Sequence, residues 1–480
     1  MKRLIIILLP ILISAQTNFN SFISYLNSIP NPNDKNLLID SLIIKHKDKI
    51  PIIEEDFAIF IYRGNAQSVY LAGDFSSWNP NLKFSNVSGT DFFYYSKKFE
   101  ADARVDYKLV INGADWILDP LNKNLIYGGF GPNSELAMPN YVQPWEIKNY
   151  AYTKKGRIEQ KIISSKIINK NYSLYIYLPN EYDLNVSKKY PSIYFQDGLE
   201  YLQLASIENI LNNLIDSLKI EPAIGVFVKP NSRNIEYAGG ERIAYQKFFA
   251  EELVQFIDSV YRTNKSADKR IVLGDSYGGN ISTLISFNYS NIFGNLGIHS
   301  GAFQPNNYEA FNLFVNGEKK NIKIVSVWGT YESLYQNMRE FRDKLSLKNY
   351  NFKWKELPEG HSWGLWRATI DDILQNFIPF VPAKVNDKKN KSESYKVYPN
   401  YPNPFNPTTN INYEISNDTK VSLKIFDISG KELFELHNNS QQKQGLYSVK
   451  LNLDNLKSGN YFCQLQFDDR CEIIPIIKIK

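Results

Sequence analysis

The sequence predicts three successive modules: an antiparallel β-sandwich, a mostly parallel α/β sheet with helices on both faces, and a small C-terminal β-sandwich. Three observations carry this. Short alternating strands separated by polar turns run from about Ile52 to Pro144. From Lys154 strands alternate with helical stretches, the pattern of a parallel sheet covered by helices. After a polar, Lys-rich stretch, a second series of short strands closes the chain. At 480 residues, with 43% hydrophobic and 14% aromatic content, there is material for about three cores.

The N-terminus, residues 1–15, reads as a secretory signal: Lys2-Arg3, then apolar Leu4 to Ile13, then a cleavage site at Ser14-Ala15. The apolar run is too short to span a bilayer. No cysteine follows for a lipid anchor, so export from the cytoplasm is expected. Residues 16–50 form a helical lead-in, with Phe22, Ile23, Leu26, Leu37, Leu38, Leu42 and Ile43 at helical spacing. In the sandwich, residues 51–148, strands are expected at Ala58–Tyr62, Ser68–Ala72, Phe92–Tyr95 and Val105–Val110.

The α/β module spans 149–382, with strands at Tyr172–Leu178 and Ser192–Phe195 and helices over Ile207–Leu218 and Tyr245–Tyr261. Within it Gly274-Asp275-Ser276-Tyr277-Gly278 spells G-x-S-x-G between a buried strand, Arg270–Leu273, and a helix. That is the context of a nucleophile elbow, in which the serine Oγ projects from the sheet and the Tyr277 amide faces a developing oxyanion. The chain has four histidines. His46 lies far upstream, His437 falls in the last module, and His299 follows Ser276 too closely to leave room for an acid. His361, in the loop after an edge strand Phe352–Leu357, remains as the base. The acid belongs after the strand Ile322–Trp328, where Glu332 precedes a helix from Leu334 to Leu345; Glu340 and Asp343 inside that helix read as solvated. Each residue also has an ordinary reading: a turn serine, a core or surface histidine, a dipole-favoured acid at a helix start.

Residues 383–396, with Lys388-Lys389-Asn390-Lys391, read as a solvated linker. Basic and acidic residues nearly balance, 55 against 50, so no nucleic-acid surface is expected. Residues 397–480 contain strands at Val421–Phe426, Gly445–Val449 and Gly459–Phe462. The two cysteines, Cys463 and Cys471, flank a hairpin turn at Asp468-Asp469. That turn pairs Cys463 with a residue near Ile474, so both thiols are expected to be free. No Cys/His cluster has metal spacing and no loop suits a phosphate, so neither metal nor organic cofactor is expected.

Three resemblances sharpen this. Tyr70-Leu-Ala-Gly-Asp-Phe-Ser-Ser-Trp-Asn-Pro80, with Tyr107–Gly113 and Trp116–Pro120, resembles the early-set sandwich of family-48 carbohydrate-binding modules and of enterochelin-esterase-like proteins. Where that sandwich grips a sugar it uses two tryptophans and a lysine. The resemblance sets Trp78, Lys108 and Trp116 at those positions and Asn133 against a downstream asparagine; packing against the sandwich or the next domain is the alternative. Tyr190–Gly198, Arg233–Tyr237, Glu251-Glu252-Leu253, the Ser276 elbow and Glu359-Gly360-His361 are similar in order to the α/β-hydrolase family of enterochelin esterase, feruloyl esterases and mycolyltransferases. This implies Ser276 as nucleophile, His361 as base, Glu332 as acid, oxyanion amides at Tyr277 and near Gly198, and a pocket lined or braced by Asp197, Arg233 and Glu236. Tyr398-Pro-Asn-Tyr-Pro-Asn-Pro-Phe-Asn-Pro407 and Asp427–Lys431 resemble the C-terminal sorting domain of type IX secretion, which implies the secretion machinery as a partner and release or surface attachment. The expected function is a secreted serine esterase acting on an acyl or feruloyl ester of a polysaccharide. A siderophore esterase, an acyltransferase to a sugar and a non-catalytic glycan-binding surface protein stay open.

Overall fold

A computed structural model describes residues 18–381, 395–468 and 470–479; the predicted signal and most of the predicted linker fall outside them. The lead-in is two helices, α1 (Phe19–Ser28) and α2 (Pro32–His46), because Asn31-Pro32 interrupts it. Asn18 and Asn31 cap them through their side chains, and Pro32 occupies a first-turn position where its missing N–H costs nothing. Phe19, Ile23, Leu26 and Ile39 pack with Ile52, Ile59, Ile61 and Phe92 of the sandwich, so the helices cover one of its sheets.

That sheet runs β1 (Ile52–Glu54), β2 (Phe57–Arg63), β6 (Phe92–Lys98), β5 (Ser85–Asn86). The facing sheet runs β4 (Leu82–Lys83), β3 (Val69–Gly73), β7 (Arg104–Ile111), β10 (Gly131–Ala137), β9 (Leu125–Gly128), with β8 (Asp115–Ile117) on β7. Phe60, Leu71, Val105, Tyr107, Leu109 and Leu136 fill the space between them. Alternation then dictates that Arg104, Asp106, Lys108 and Val110 leave from the other face of β7. Its Arg104 end meets the α/β domain.

The α/β sheet has the order β11 (Arg157–Ser165), β12 (Lys170–Leu178), β14 (Ile224–Val228), β13 (Ser192–Phe195), β15 (Arg270–Asp275), β16 (Asn295–His299), β17 (Lys323–Gly329), β18 (Asn351–Leu357). Strands from β14 to β18 pair in parallel, and β11 and β12 are antiparallel at one edge. On one face pack α3 (Gly198–Leu204), α4 (Ile207–Asp216) and α11 (Trp363–Phe377). On the other lie α6 (Arg242–Lys247), α7 (Val254–Val260), α8 (Tyr277–Asn288), α9 (Pro305–Asn316) and α10 (Tyr335–Leu347), while α5 (Arg233–Tyr237) sits beside α8. The predicted helix over 245–261 contains a π-helical turn at Phe248–Leu253. Sandwich and α/β sheet form one compact unit ending at Phe380.

The second unit has sheets β19 (Tyr395–Val397), β20 (Thr408–Ile415), β23 (Gly445–Asn452) and β22 (Glu432–Gln442), β21 (Thr419–Asp427), β24 (Gly459–Phe467), β25 (Arg470–Lys478), around Ile411, Tyr413, Leu423, Ile425 and Leu465. In the β24–β25 hairpin Cys463 pairs with Ile474 and Cys471 with Gln466, so the thiols do not face each other, and both are free. Burial pushes the Cys463 thiol up to about 12. A thiol reagent added to the folded protein should therefore titrate Cys471 and reach Cys463 only in denaturant; a Cys463–Cys471 peptide in a non-reduced digest contradicts this register.

Candidate active site

Parallel strands deliver their carboxyl ends to one edge, and the predicted site residues follow those ends in spatial order. Gly198 follows β13, Ser276 follows β15, Glu332 follows β17 and His361 follows β18. Ser276 has φ 53° and ψ −118° between strand and helix. A non-glycine residue in that region carries strain of roughly 1–3 kcal/mol. The turn closes because Gly274 presses on the backbone of Gly278, where an added Cβ would fall 2.3 Å from the Gly278 carbonyl carbon. The Ser276 amide donates to His299 O (2.9 Å) and its carbonyl accepts from Ala302 N (3.0 Å), tying the elbow to the end of β16.

His361 leaves an edge strand three positions from β15, roughly 14 Å away at about 4.8 Å per strand. Its loop must fold back over the sheet. Trp366 guides it: the indole N–H donates to Ser300 Oγ (3.1 Å), just beyond β16, and the ring stands edge-on to His361, centroids 5.1 Å apart. Glu332 is fully buried at the side chain, against one-third exposure for His361. One Glu332 oxygen accepts from Gly329 N (2.9 Å) and the other lies 2.5 Å from His361 Nδ1. A buried carboxylate on Nδ1 leaves Nε2 as the free basic nitrogen. Among the described residues Ser276 Oγ and His361 Nε2 make no side-chain hydrogen bond; such contacts commonly tighten only with substrate bound.

Tyr277 opens α8 and Gly198 opens α3, so neither amide has an acceptor within its own helix. Arg233 joins the two halves. It grips the Asp197 carboxylate at 2.7–2.9 Å, donates to the Asp275 carbonyl (3.3 Å) and lies over the rings of Tyr237 and Tyr277. Burial pushes the Asp275 carboxyl well above the ordinary range, with the Asp197 charge adding to it. Of the two roles the sequence leaves open for Asp197 and Glu236, lining or bracing, their burial fits bracing. Asp197 is 2% exposed and spent on Arg233; Glu236 is 0% exposed and bonded to Tyr172 Oη and the Asn231 amide, so it braces α5 against β12. Arg233 alone of the three reaches solvent appreciably.

His299 closes β16, bonded to Tyr201 Oη (3.0 Å) and Thr369 Oγ1 (3.2 Å). Burial pushes its imidazole down to about 3, which removes it as a base. The four residues set against the sugar-gripping positions share one region. Lys108 on β7, Trp116 on β8 (opposite Val110) and Asn133 on β10 (one residue before Ser134, the partner of Tyr107) lie by alternation on the sheet face turned away from the sandwich core. Trp78 Nε1 donates to Asp74 Oδ1 (3.1 Å), whose other oxygen accepts from Asp106 N, while Asn133 Nδ2 donates to Asp106 Oδ2 (3.1 Å). A surface cavity of about 560 Å³ lined by Asn36, Arg63, Asn86 and Asp91 lies elsewhere and offers no nucleophile–base pair. Among the described residues no cluster of His, Cys, Asp or Glu could hold a metal ion.

The family model described as "Putative esterase" matches residues 165–377, and that described as "Secretion system C-terminal sorting domain" matches 397–479. Residues 165–377 thus form an esterase-family domain, followed by a type IX sorting domain over 397–479. The esterase match takes in the Ser276 elbow, Glu332 and His361. The protein YjcH of Bacillus subtilis is 28% identical over 241 residues, covering 47% of this chain and 99% of that one. The endo-1,4-beta-xylanase/feruloyl esterase of Xylanibacter ruminicola is 30% identical over 290 residues, 57% of this chain but only 38% of that protein. The ferric enterobactin esterase of Salmonella typhimurium shares the fold at TM-score 0.61 and 18% identity, over 70% of this chain and 98% of its own. The sorting domain marks the chain for secretion.

One buried acid beside His361 has a measurable signature. Glu359 is 2% exposed, and burial pushes its carboxyl from 4.5 up to about 7, Arg104 pulling the other way. A carboxyl raised on folding favours the native state while protonated; that contribution is complete below about 4.5 and lost as pH rises through about 7. Glu359→Gln should gain on wild type above pH 7 by up to about 3 kcal/mol, and the gain should vanish near pH 4.5. Urea midpoints at the two pH values measure it; a gain that grows on acidification contradicts the assignment.

Proposed function

We propose that this esterase-family protein is a serine esterase in which Ser276, His361 and Glu332 act together. The observation that carries the reading is the pairing of a strained elbow serine with a histidine whose Nδ1 lies 2.5 Å from a fully buried glutamate on the same sheet edge. Ser276 Oγ attacks the ester carbonyl while His361 Nε2 takes its proton. Tyr277 N–H and the Gly198 amide hold the oxyanion. The His361 imidazolium, stabilised by Glu332, then protonates the leaving alkoxide. Water activated by the same nitrogen releases the acid.

For substrate we favour an acyl or feruloyl ester on a polysaccharide. Support comes from the feruloyl esterase relative at 30% identity, from the sorting domain, and from the polar aromatic face of Trp78, Lys108, Trp116 and Asn133, which suits a sugar. The enterobactin-esterase fold supports a siderophore ester as the second reading. Transfer to a sugar in place of water uses the same acyl-enzyme.

With p-nitrophenyl acetate, Ser276→Ala should lose roughly 10³-fold or more in kcat, and Glu332→Gln roughly 10²–10⁴-fold at unchanged fold. Equal turnover by wild type and Ser276→Ala ends the serine-esterase reading. Feruloylated and acetylated xylan fragments compared with a catecholate trilactone decide the substrate class. Preference for the trilactone by tenfold or more in kcat/KM overturns the polysaccharide assignment, and transesterified product with added sugar favours transfer.

A further inference from the structure

The two residues that flank His361 are held from outside the α/β domain. An ideal Cβ on Gly360 would fall 2.0 Å from Asp74 Oδ2, so the sandwich carboxylate sits where only glycine leaves room. On the other side Ser362 Oγ accepts a 2.9 Å hydrogen bond from Arg104 Nη1. The same nitrogen lies 2.0 Å from where a Cβ of Gly364 would be. Arg104 opens β7, and its backbone reaches the loop as well: its N–H donates to Pro358 O (3.0 Å), making a parallel bridge to Glu359. The guanidinium is 0% exposed, with Nε on Glu135 Oε1 (2.6 Å) and Nη1 at 2.7 Å from Asp106 Oδ1.

The acid loop is moored in the same way. Tyr331, next to Glu332, donates its hydroxyl to Glu100 Oε2 (2.5 Å) and sets its ring against Phe99, centroids 6.0 Å apart. Its N–H donates to Glu359 O (3.0 Å), so the two loops are also joined to each other. Burying an arginine among Asp106, Glu135 and Glu359 is a poor way to gain stability, since desolvation offsets most of the attraction and apolar packing of equal volume does as well. A forked, immobile donor does supply fixed geometry at Ser362, one residue from the imidazole.

We infer that Arg104 is a positioning residue: acting from the sandwich, it fixes the His361 loop through Ser362, with Asp74 on the opposite flank and Tyr331–Glu100 doing the same for Glu332. The sandwich is then part of the catalytic apparatus rather than an appended module. This rests on the serine-esterase reading above. A displacement of about 1 Å at a catalytic group can cost on the order of 100-fold in rate.

The test uses the full chain and p-nitrophenyl acetate, with thermal melts as the folding control. Ser362→Ala and Tyr331→Phe remove one hydrogen bond each and should keep the fold. Each should lower kcat about 10-fold to 100-fold with KM within about twofold, and slow covalent labelling of Ser276 by an organophosphate by the same factor. Ser362→Thr, which keeps the acceptor hydroxyl, should recover most of the loss. Arg104→Lys should fall between Ser362→Ala and wild type. Arg63→Ala, at the opposite end of the sandwich and paired with Asp91, should change the melt but not kcat. Wild-type kcat in folded Ser362→Ala and Tyr331→Phe overturns the inference while leaving the serine-esterase reading intact, provided Ser276→Ala is inactive. An active Ser276→Ala removes both. Loss of kcat in Arg63→Ala equal to that in Ser362→Ala also counts against it, because general loosening of the sandwich then suffices.

Discussion

Ser276 is held at φ 53° by its neighbours on both sides of the turn. The buried strand β15 fixes where the turn begins, the Gly274–Gly278 contact fixes how sharply it closes, and the bonds to His299 and Ala302 prevent it relaxing. A strained residue of this kind persists only where the surroundings over-determine it. Along the same sheet edge lie the Gly198 and Tyr277 amides at two helix starts and the His361–Glu332 pair beyond the far strands.

Buried charge supplies much of the rigidity. Arg233 links Asp197, one residue before the first oxyanion candidate, to Asp275, one residue before the serine, and lies over Tyr277, whose amide is the second candidate. Arg104 occupies a comparable place at the His361 loop. Both guanidiniums satisfy carboxylates that would otherwise be buried unpaired, at several kcal/mol each. The two clusters stand at the ends of the same row of strand termini, one beside Gly198 and Tyr277 and one beside the His361 loop.

Much of this was legible in the chain. The period-two runs placed β2, β3, β6 and β7, and the strand–helix alternation placed β12, β13, β15, β17 and β18 to within a few residues, because buried strands and amphipathic helices must carry those spacings. The hairpin turn placed Cys463 opposite Ile474. Among four histidines, the serine–acid–histidine order pointed to His361 as the candidate base, and the strand Ile322–Trp328 pointed to Glu332 as the candidate acid. Less was visible where several readings share one residue type. Glu236 follows Arg233 by three positions and looks like a second pocket charge, yet its carboxylate turns into the core toward Tyr172. Asp197 has the composition of a binding residue and the environment of a brace.

The sequence by itself pointed to the successive modules, to the elbow, and to Ser276, His361 and Glu332 as candidates, because each is written in local spacing and in the order of chain-distant motifs on a parallel sheet. Only the tertiary structure decided what holds them. Arg104 and Ser362 lie 258 residues apart, as an ordinary strand-initial arginine and an ordinary serine just before a helix. No periodicity marks such a pair, since their meeting depends on how one folded surface docks on another, and a charge that will be buried reads in sequence just like one that will face water.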